Sequence, residues 1–366
     1  MQQHRIIISG GGTGGHIFPA IAIANAFRER HPDAEILFVG AEGKMEMTRV
    51  PEAGYKIIGL RIAGLQRRLT LQNLLFPFKL IASLFKARSI IKEFKPDVVV
   101  GTGGYASGPV MMAAARKGIP ALVQEQNSYA GLTNKQLASK AKTICVAYPN
   151  MDKFFPAAKI IVTGNPVRKD IIDLTPKKGA ALARFGFVGE VKVMLILGGS
   201  LGARTINESV LNGLDKLVQS KIQVIWQTGK FYIDEIHQKT KNRTLTNIRI
   251  SDFVKEMDLA YAAADVVISR AGALSISELC LAKKPAILVP SPNVSEDHQT
   301  QNAMALVKQD AAVMIRDNEA REKLINEALS LLNDTDRCAR LSNNIAAMGK
   351  PDAALNIVKE IEKLIA

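Results

Sequence analysis

Short apolar runs rich in Ile and Val alternate along this chain with longer stretches in which apolar residues recur at helical spacing. A strand buried on both faces needs no polar alternation, so such runs suit the interior of a parallel sheet. The pattern predicts strands at residues 5–9, 36–39, 98–101, 121–124, 143–147 and 160–163. A second series follows at 191–197, 223–227, 248–251, 266–269 and 286–289. Strands separated by helical stretches make βαβ units, so the expected fold class is α/β with parallel sheets.

One pattern occurs twice. Ile6-Ile7-Ile8-Ser9 runs into Gly10-Gly11-Gly12-Thr13-Gly14-Gly15, and Met194-Leu195-Ile196-Leu197 runs into Gly198-Gly199-Ser200-Leu201-Gly202-Ala203. A strand, a glycine turn and a helix open a doubly wound domain. Two such domains are therefore expected, residues 1–164 and 165–349, facing each other across a cleft. The seam falls near Gly164-Asn165-Pro166, and residues 350–366 return as a last helix packing on the first domain.

Polar groups cluster where strands should end. The first glycine loop matches G-x-G-x-x-G at Gly10, Gly12 and Gly15, a spacing that lets backbone approach a phosphate at a helix N-terminus. With Glu42 after the second strand it also leaves a dinucleotide enzyme open. His16 closes the loop, either as a packing group or as a general base. Gly103-Gly104-Tyr105 and Glu125-Gln126-Asn127 follow two further strands. In the second half, Ser275-x-x-Glu278 reads either as a capping box or as a carboxylate for ribose hydroxyls. His298-Gln299 follows the strand at 286–289 and is placed to read sugar hydroxyls.

Composition then narrows the class. With 47% hydrophobic and 22% charged residues, the chain is globular. Three scattered cysteines give neither a disulfide framework nor a zinc site, and suit a reducing compartment. The start reads as a strand rather than a signal peptide, and no run is long enough to span a membrane. The only D-x-D, Asp334-x-Asp336, is expected in a surface loop, so no metal and no cofactor is expected.

Charge is uneven: residues 1–164 hold 21 of the 48 Lys/Arg but 10 of the 34 Asp/Glu. That excess points to an anionic partner. Residues 65–95 carry Arg67, Arg68, Lys79, Lys86, Arg88, Lys92 and Lys95 against Glu93 alone. Leu74, Phe78, Ile81 and Phe85 recur there at helical spacing, widened by Leu80, Leu84 and Ile91. The stripe faces either the core or an anionic membrane surface. Phe78 and Phe85 belong to the apolar stripe rather than to a separate stacking set among the basic residues, which argues against nucleic acid.

Taken together and in order, Gly11-Gly12-Thr13-Gly14-Gly15-His16, Gly103-Gly104-Tyr105, Glu125-Gln126-Asn127, Gly131-Leu132-Thr133-Asn134-Lys135, Gly164-Asn165-Pro166-Val167-Arg168, Gly199-Ser200-x-Gly202-Ala203-Arg204 and Gly272-Ala273-Leu274-Ser275-x-Ser277-Glu278 span nearly the whole chain. The set resembles the bacterial glycosyltransferases that add N-acetylglucosamine to undecaprenyl-pyrophosphoryl-N-acetylmuramoyl-pentapeptide in peptidoglycan synthesis. The resemblance implies a GT-B fold, a UDP-N-acetylglucosamine donor, inversion at the anomeric carbon and peripheral attachment at the cytoplasmic membrane face. It places Thr13, Gly14 and Gly15 toward the donor's sugar and phosphate region, and Asn127 and Gln299 on the sugar. Arg168 and Ser200 fall on the nucleotide and its diphosphate. The run Ala273, Leu274, Ser275, Ile276, Ser277 and Glu278 falls on phosphate and ribose. Val254 would meet uracil through its backbone. Gln124 stands where a histidine is common and is not expected to be catalytic.

A muramoyl 4-hydroxyl attacking the anomeric carbon needs a base near neutral pH. His16 is the first candidate and Glu125 the second. Helix N-termini at the glycine loops, with Arg168, would stabilise the leaving diphosphate. Two other readings stay open: a UDP-N-acetylglucosamine 2-epimerase and a non-catalytic nucleotide-sugar sensor.

Overall fold

The computed structural model describes residues 3–62, 76–199, 201–294 and 297–366. The chain forms two compact units, Met1–Val167 with Asp352–Ala366, and Arg168–Pro351.

The first unit is built on a parallel sheet of seven strands: β1 (Arg5–Gly10), β2 (Glu35–Ala41), β3 (Lys56–Leu60), β4 (Val98–Gly103), β5 (Ala121–Glu125), β6 (Thr143–Val146) and β7 (Ile160–Val162). Their spatial order is β3-β2-β1-β4-β5-β6-β7. Alternate side chains of a strand point to opposite faces, so an unbroken apolar run feeds two cores. Ile7, Val99 and Val123 pack under the helices Phe76–Phe94 and Ser107–Arg116. Ile6, Ile8, Val98 and Val100 pack under the helix Gly14–Arg30 through Ile17, Ile23 and Phe27. The C-terminal helix Ala353–Ile365 adds Ile357, Val358 and Ile361 to this second core. Its Glu362 accepts a hydrogen bond from Arg30 Nε at 2.7 Å and lies 2.8 Å from His31 Nε2.

The second unit repeats the plan with β8 (Val193–Leu197), β9 (Gln223–Gln227), β10 (Ile248–Ser251), β11 (Val266–Ser269), β12 (Ala286–Leu288) and β13 (Val313–Met314). All pair in parallel, in the order β10-β9-β8-β11-β12-β13. Trp226, fully buried on β9, keeps its one polar atom satisfied by donating to Asn207 Oδ1 at 3.0 Å. Strands β3 and β13 are absent from the sequence-based expectation. Both are edge strands, and β13 has only two residues.

Strand order reverses between β1 and β4, and again between β8 and β11. In such sheets, ligands bind outside the carboxyl ends of the strands at the reversal. Both glycine loops lie at those ends.

Two expectations change. The Asp334-x-Asp336 pair lies at a helix start rather than in a loop: Asp334 caps the helix Thr335–Ala347, its side chain accepting from Arg337 N at 2.9 Å, and Asp336 stands in its first turn. The apolar stripe at 65–95 divides. Ile90 and Ile91 are buried and Leu80 packs beside them. Phe78, Ile81 and Phe85 instead remain 71%, 51% and 64% exposed. Beside them, Lys86 pairs with Glu42 at 3.3 Å, and Arg88 lies 5.9 Å from the centre of the Phe85 ring. Arg67, Arg68 and Leu74 lie outside the described residues. Among the described residues, no helix is long and apolar enough to cross a membrane.

Candidate active-site loops

After β1 the chain turns sharply. Gly12 has φ of +86°, and a Cβ on Gly11 would come within 2.1 Å of Glu46 Oε1. Glu46 is fully buried, and its carboxylate accepts the Gly12 N–H at 3.1 and 3.0 Å and the Ala41 N–H at 3.0 Å. An internal carboxylate therefore occupies the Gly12 amide, which is not free to meet a phosphate. The amides left for an anion are those opening the helix Gly14–Arg30, where Thr13 provides no side-chain cap. Thr13 is exposed, and Gly14 and Gly15 are partly so.

His16, in the first turn of that helix, is half-buried. Thr102 Oγ1 donates to its carbonyl at 2.9 Å, tying the turn to β4. His16 Nδ1 lies 3.0 Å from Gln126 Oε1. A Cβ on Gly103, whose φ is +99°, would sit 2.9 Å from His16 Nδ1 and Cε1, so the ring packs where only glycine leaves room.

Glu125, the second sequence candidate for a base, is buried and fully engaged. Oε1 accepts from Asn127 N at 3.0 Å and Asn127 Nδ2 at 3.2 Å. Oε2 accepts from Gly131 N at 3.0 Å and Asn134 Nδ2 at 2.8 Å. A carboxylate offers about four acceptor positions, so none remains for a substrate proton. Glu125 clamps the loop that carries Asn127, and the geometry argues against it as a base.

In the second unit, Gly199 and Gly202 adopt φ of +79° and +96° after β8. A Cβ on Gly202 would meet Thr228 O at 2.5 Å, so the loop needs glycine there. Ser200 lies outside the described residues.

After β11, the helix Ala273–Ala282 starts at the N-cap Gly272, which has no side chain to satisfy the first-turn amides. Those amides, from Ala273, Leu274 and Ser275, are open to an anion. The side chain of Ile276 is core, and Ser277 Oγ donates back to Ala273 O at 3.0 Å. The capping-box reading fails: Ser275 lies inside the helix, not at its cap, so Glu278 has no cap to complete.

Glu278 instead accepts from Arg168 Nε at 3.0 Å and from the Tyr261 hydroxyl at 3.2 Å. Burial pushes its carboxyl above the ordinary value, while Arg168 and Tyr261 oppose that shift. Burial, then the Glu278 charge, pushes the Tyr261 hydroxyl well above its usual range. Gln299 accepts the Ser291 N–H at 2.9 Å, which fixes its amide near the end of β12. Val254 is buried just beyond β10, beside an exposed Phe253.

Sequence reasoning did not find Glu46, Gln126 or Tyr261 as partners. It also missed Arg270, which follows β11 and donates to Val289 O at 3.0 Å, Pro290 O at 3.2 Å and Asp317 Oδ1 at 2.5 Å. Asp317, which opens the helix after β13, in turn accepts from Thr205 Oγ1 at 2.9 Å, so one ion pair ties the helix after β8 to the segments after β11, β12 and β13. A cation directly after a strand, in Ser269-Arg270, was the available signal.

Among the described residues, no group of three His, Cys, Asp or Glu is arranged to hold a metal ion.

Residues 6–146 match the glycosyltransferase family 28 N-terminal domain, and residues 193–357 match the family 28 C-terminal domain. The chain is 58% identical over 365 residues to the UDP-N-acetylglucosamine--N-acetylmuramyl-(pentapeptide) pyrophosphoryl-undecaprenol N-acetylglucosamine transferase of Parabacteroides distasonis, covering 100% of this chain and 99% of that one. The protein of the same name from Bacteroides thetaiotaomicron is 58% identical over 99% and 98%. The crystal structure of MurG from Acinetobacter baumannii superposes with a TM-score of 0.79 at 30% identity, over 99% and 100% of the two chains. The UDP-GlcNAc 2-epimerase from Neisseria meningitidis, solved with UDP-GlcNAc bound, reaches a TM-score of 0.68 at 15% identity over 99% and 100%. That is a likeness of fold alone.

Proposed function

The chain belongs to glycosyltransferase family 28, and from that premise we propose that it transfers N-acetylglucosamine from UDP-N-acetylglucosamine to the muramoyl 4-hydroxyl of undecaprenyl-pyrophosphoryl-N-acetylmuramoyl-pentapeptide. The observation that carries this reading is 58% identity along the full chain to relatives named for that transfer. The epimerase alternative has only a fold likeness behind it.

In this reading, the unit of residues 1–167 and 352–366 takes the acceptor, and the unit of residues 168–351 takes the donor. The acceptor hydroxyl attacks the anomeric carbon from the face opposite UDP. The new C–O bond forms as the bond to the diphosphate breaks, which inverts the centre. His16 Nε2 takes the hydroxyl proton. Charge then grows on the diphosphate, where the open amides of Ala273, Leu274 and Ser275 and the guanidinium of Arg168 stabilise it. Ser200 and the helix opening at Gly14 and Gly15 complete the phosphate contacts. Glu278 accepts from the ribose hydroxyls, Asn127 and Gln299 read the sugar, and the Val254 backbone meets uracil.

The acceptor's lipid tail would stay in the bilayer, so the enzyme must work at its surface. Phe78, Ile81 and Phe85, exposed beside Lys86 and Arg88, supply a surface that enters anionic lipid without crossing it. This supports peripheral attachment at the cytoplasmic face.

Radiolabelled UDP-N-acetylglucosamine with a short-chain acceptor analogue tests the reaction. Label in the lipid fraction is expected. An epimerised nucleotide sugar, or no turnover, with the lipid unlabelled would overturn the reading.

A further inference from the structure

Gln126 has two ends facing different partners. Its Nε2 lies 2.7 Å from Thr102 O and 3.0 Å from Gln124 O. Backbone carbonyls cannot donate, so the amide nitrogen must face them, and Oε1 must face His16 Nδ1 at 3.0 Å. An amide oxygen cannot donate either. The His16 nitrogen beside it must therefore carry the proton.

The orientation is fixed again one step back. Gln126 Nε2 also reaches Gln124 Oε1, and Gln124 Nε2 donates to Asn165 Oδ1 at 3.0 Å. Asn165 Nδ2 donates to Gln126 O at 3.0 Å, closing the ring. Gln124, Gln126 and Asn165 are all buried, so water does not compete for these bonds. The loop that carries Gln126 is braced by Glu125, whose oxygens are taken by Asn127, Gly131 and Asn134.

We infer that Gln126 is a positioning residue that holds His16 in its Nδ1–H tautomer, keeping Nε2 unprotonated as the basic nitrogen. A neutral imidazole has one donor and one acceptor nitrogen, and the partner of one decides the role of the other. Free imidazole side chains have no such bias imposed, so a glycosyl acceptor would meet a mixture without Gln126. The amide carries no charge and takes no proton. The proton accepted at Nε2 stays on the imidazolium, with Nδ1–H still bonded to Gln126, until solvent removes it. This inference rests on the reading of His16 as the base.

Nitrogen-15 NMR of histidine-labelled protein tests it directly, the His16 signals being assigned by their loss in His16→Ala. The wild type should show His16 with Nδ1 protonated and Nε2 not. Gln126→Met, close in shape but only a weak acceptor for Nδ1–H, should shift His16 toward the Nε2–H form. Its kcat should fall roughly tenfold or more, part of the 10²–10⁴ that a positioned base contributes. KM for donor and acceptor should stay within about twofold. A wild-type signal with Nε2 protonated overturns the inference, and this needs no variant to fold. So does an unchanged tautomer in a folded Gln126→Met. If instead His16→Ala keeps wild-type turnover, it is the base assignment that fails, whatever the tautomer.

Discussion

Arg168 Nε donates to Glu278 Oε1 at 3.0 Å, joining a residue at the start of the second unit to one inside the helix that follows β11. The pair gives Glu278 a fixed rotamer, and Tyr261 holds the second oxygen at 3.2 Å. Because Ser275 is not an N-cap, the helix does not depend on Glu278 for its start. Glu278→Gln should therefore leave the fold intact. A neutral amide accepts less strongly than a carboxylate, so UDP affinity should fall by about three- to tenfold. Calorimetric titration with UDP measures this, and equal affinity in the folded variant would remove Glu278 from the nucleotide site.

The same carboxyl gives a pH dependence. Its folded value is raised from the ordinary 4.5, so the folded state holds its proton to higher pH than the unfolded chain does. Such a group favours the folded state below the unfolded value and loses that contribution as pH rises through the folded one. Glutamine does not titrate. The melting temperature of Glu278→Gln, relative to wild type, should rise from pH 4 toward neutrality. A difference that stays flat or falls across that range would contradict the raised value.

Glu125 and His16 can be separated by kinetics. Glu125→Gln places an amide against four donors, Asn127 N, Asn127 Nδ2, Gly131 N and Asn134 Nδ2. Leaving a buried donor unpaired costs about 1–3 kcal/mol, so the melting temperature should drop. Turnover should fall with it as the Asn127 loop loosens. The loss should stay smaller than in His16→Ala. If Glu125→Gln loses as much turnover as His16→Ala or more while its melting temperature is unchanged, the two roles are reversed.

Gly103 makes a sharper test of how His16 is seated. Alanine there is strained by φ of +99° and would press its Cβ to 2.9 Å from the imidazole. Gly103→Ala should lower kcat by at least tenfold, within the worth of a positioned base, while UDP affinity holds. UDP binding that falls in parallel would mean that this loop serves the donor rather than the base.

Much of the fold was legible because buried parallel strands write themselves as Ile/Val runs. The run Ile6-Ile7-Ile8 serves both faces of the sheet, and the glycines after it mark the turn. β3 escaped because Lys56–Leu60 is a short edge strand broken by Gly59, and β13 because two residues carry no period. The site was legible as loops but not as partnerships. Glu46 reaches Gly12 across 34 positions and Gln126 reaches His16 across 110, and spacing in sequence says nothing about either. Ser275-x-x-Glu278 stayed ambiguous for a related reason: the motif has the spacing of one helical turn, which fits a helix interior as well as its cap.

The exposed stripe of the helix Phe76–Phe94 yields the last prediction. The face opposite the stripe carries Ser83, Ala87, Ile90 and Ile91 into the first unit, so that face is committed to folding. Phe78, Ile81 and Phe85 are more than half exposed, and replacing them costs little core packing. Burying a large apolar side chain contributes about 1.5–3 kcal/mol, so three of them give on the order of 5 kcal/mol to attachment. Basic residues near an anionic surface add about 1 kcal/mol each, and salt weakens only this second part. A Phe78→Ser, Ile81→Ser, Phe85→Ser variant should fold, keep its activity on a soluble short-chain acceptor and lose most of its binding to vesicles containing anionic lipid. An Arg88→Glu variant should bind more weakly at low salt and approach wild type as salt rises. Vesicle co-sedimentation across a salt series distinguishes the two terms. Equal pelleting of the triple serine variant and the wild type would show that these three side chains do not meet the bilayer.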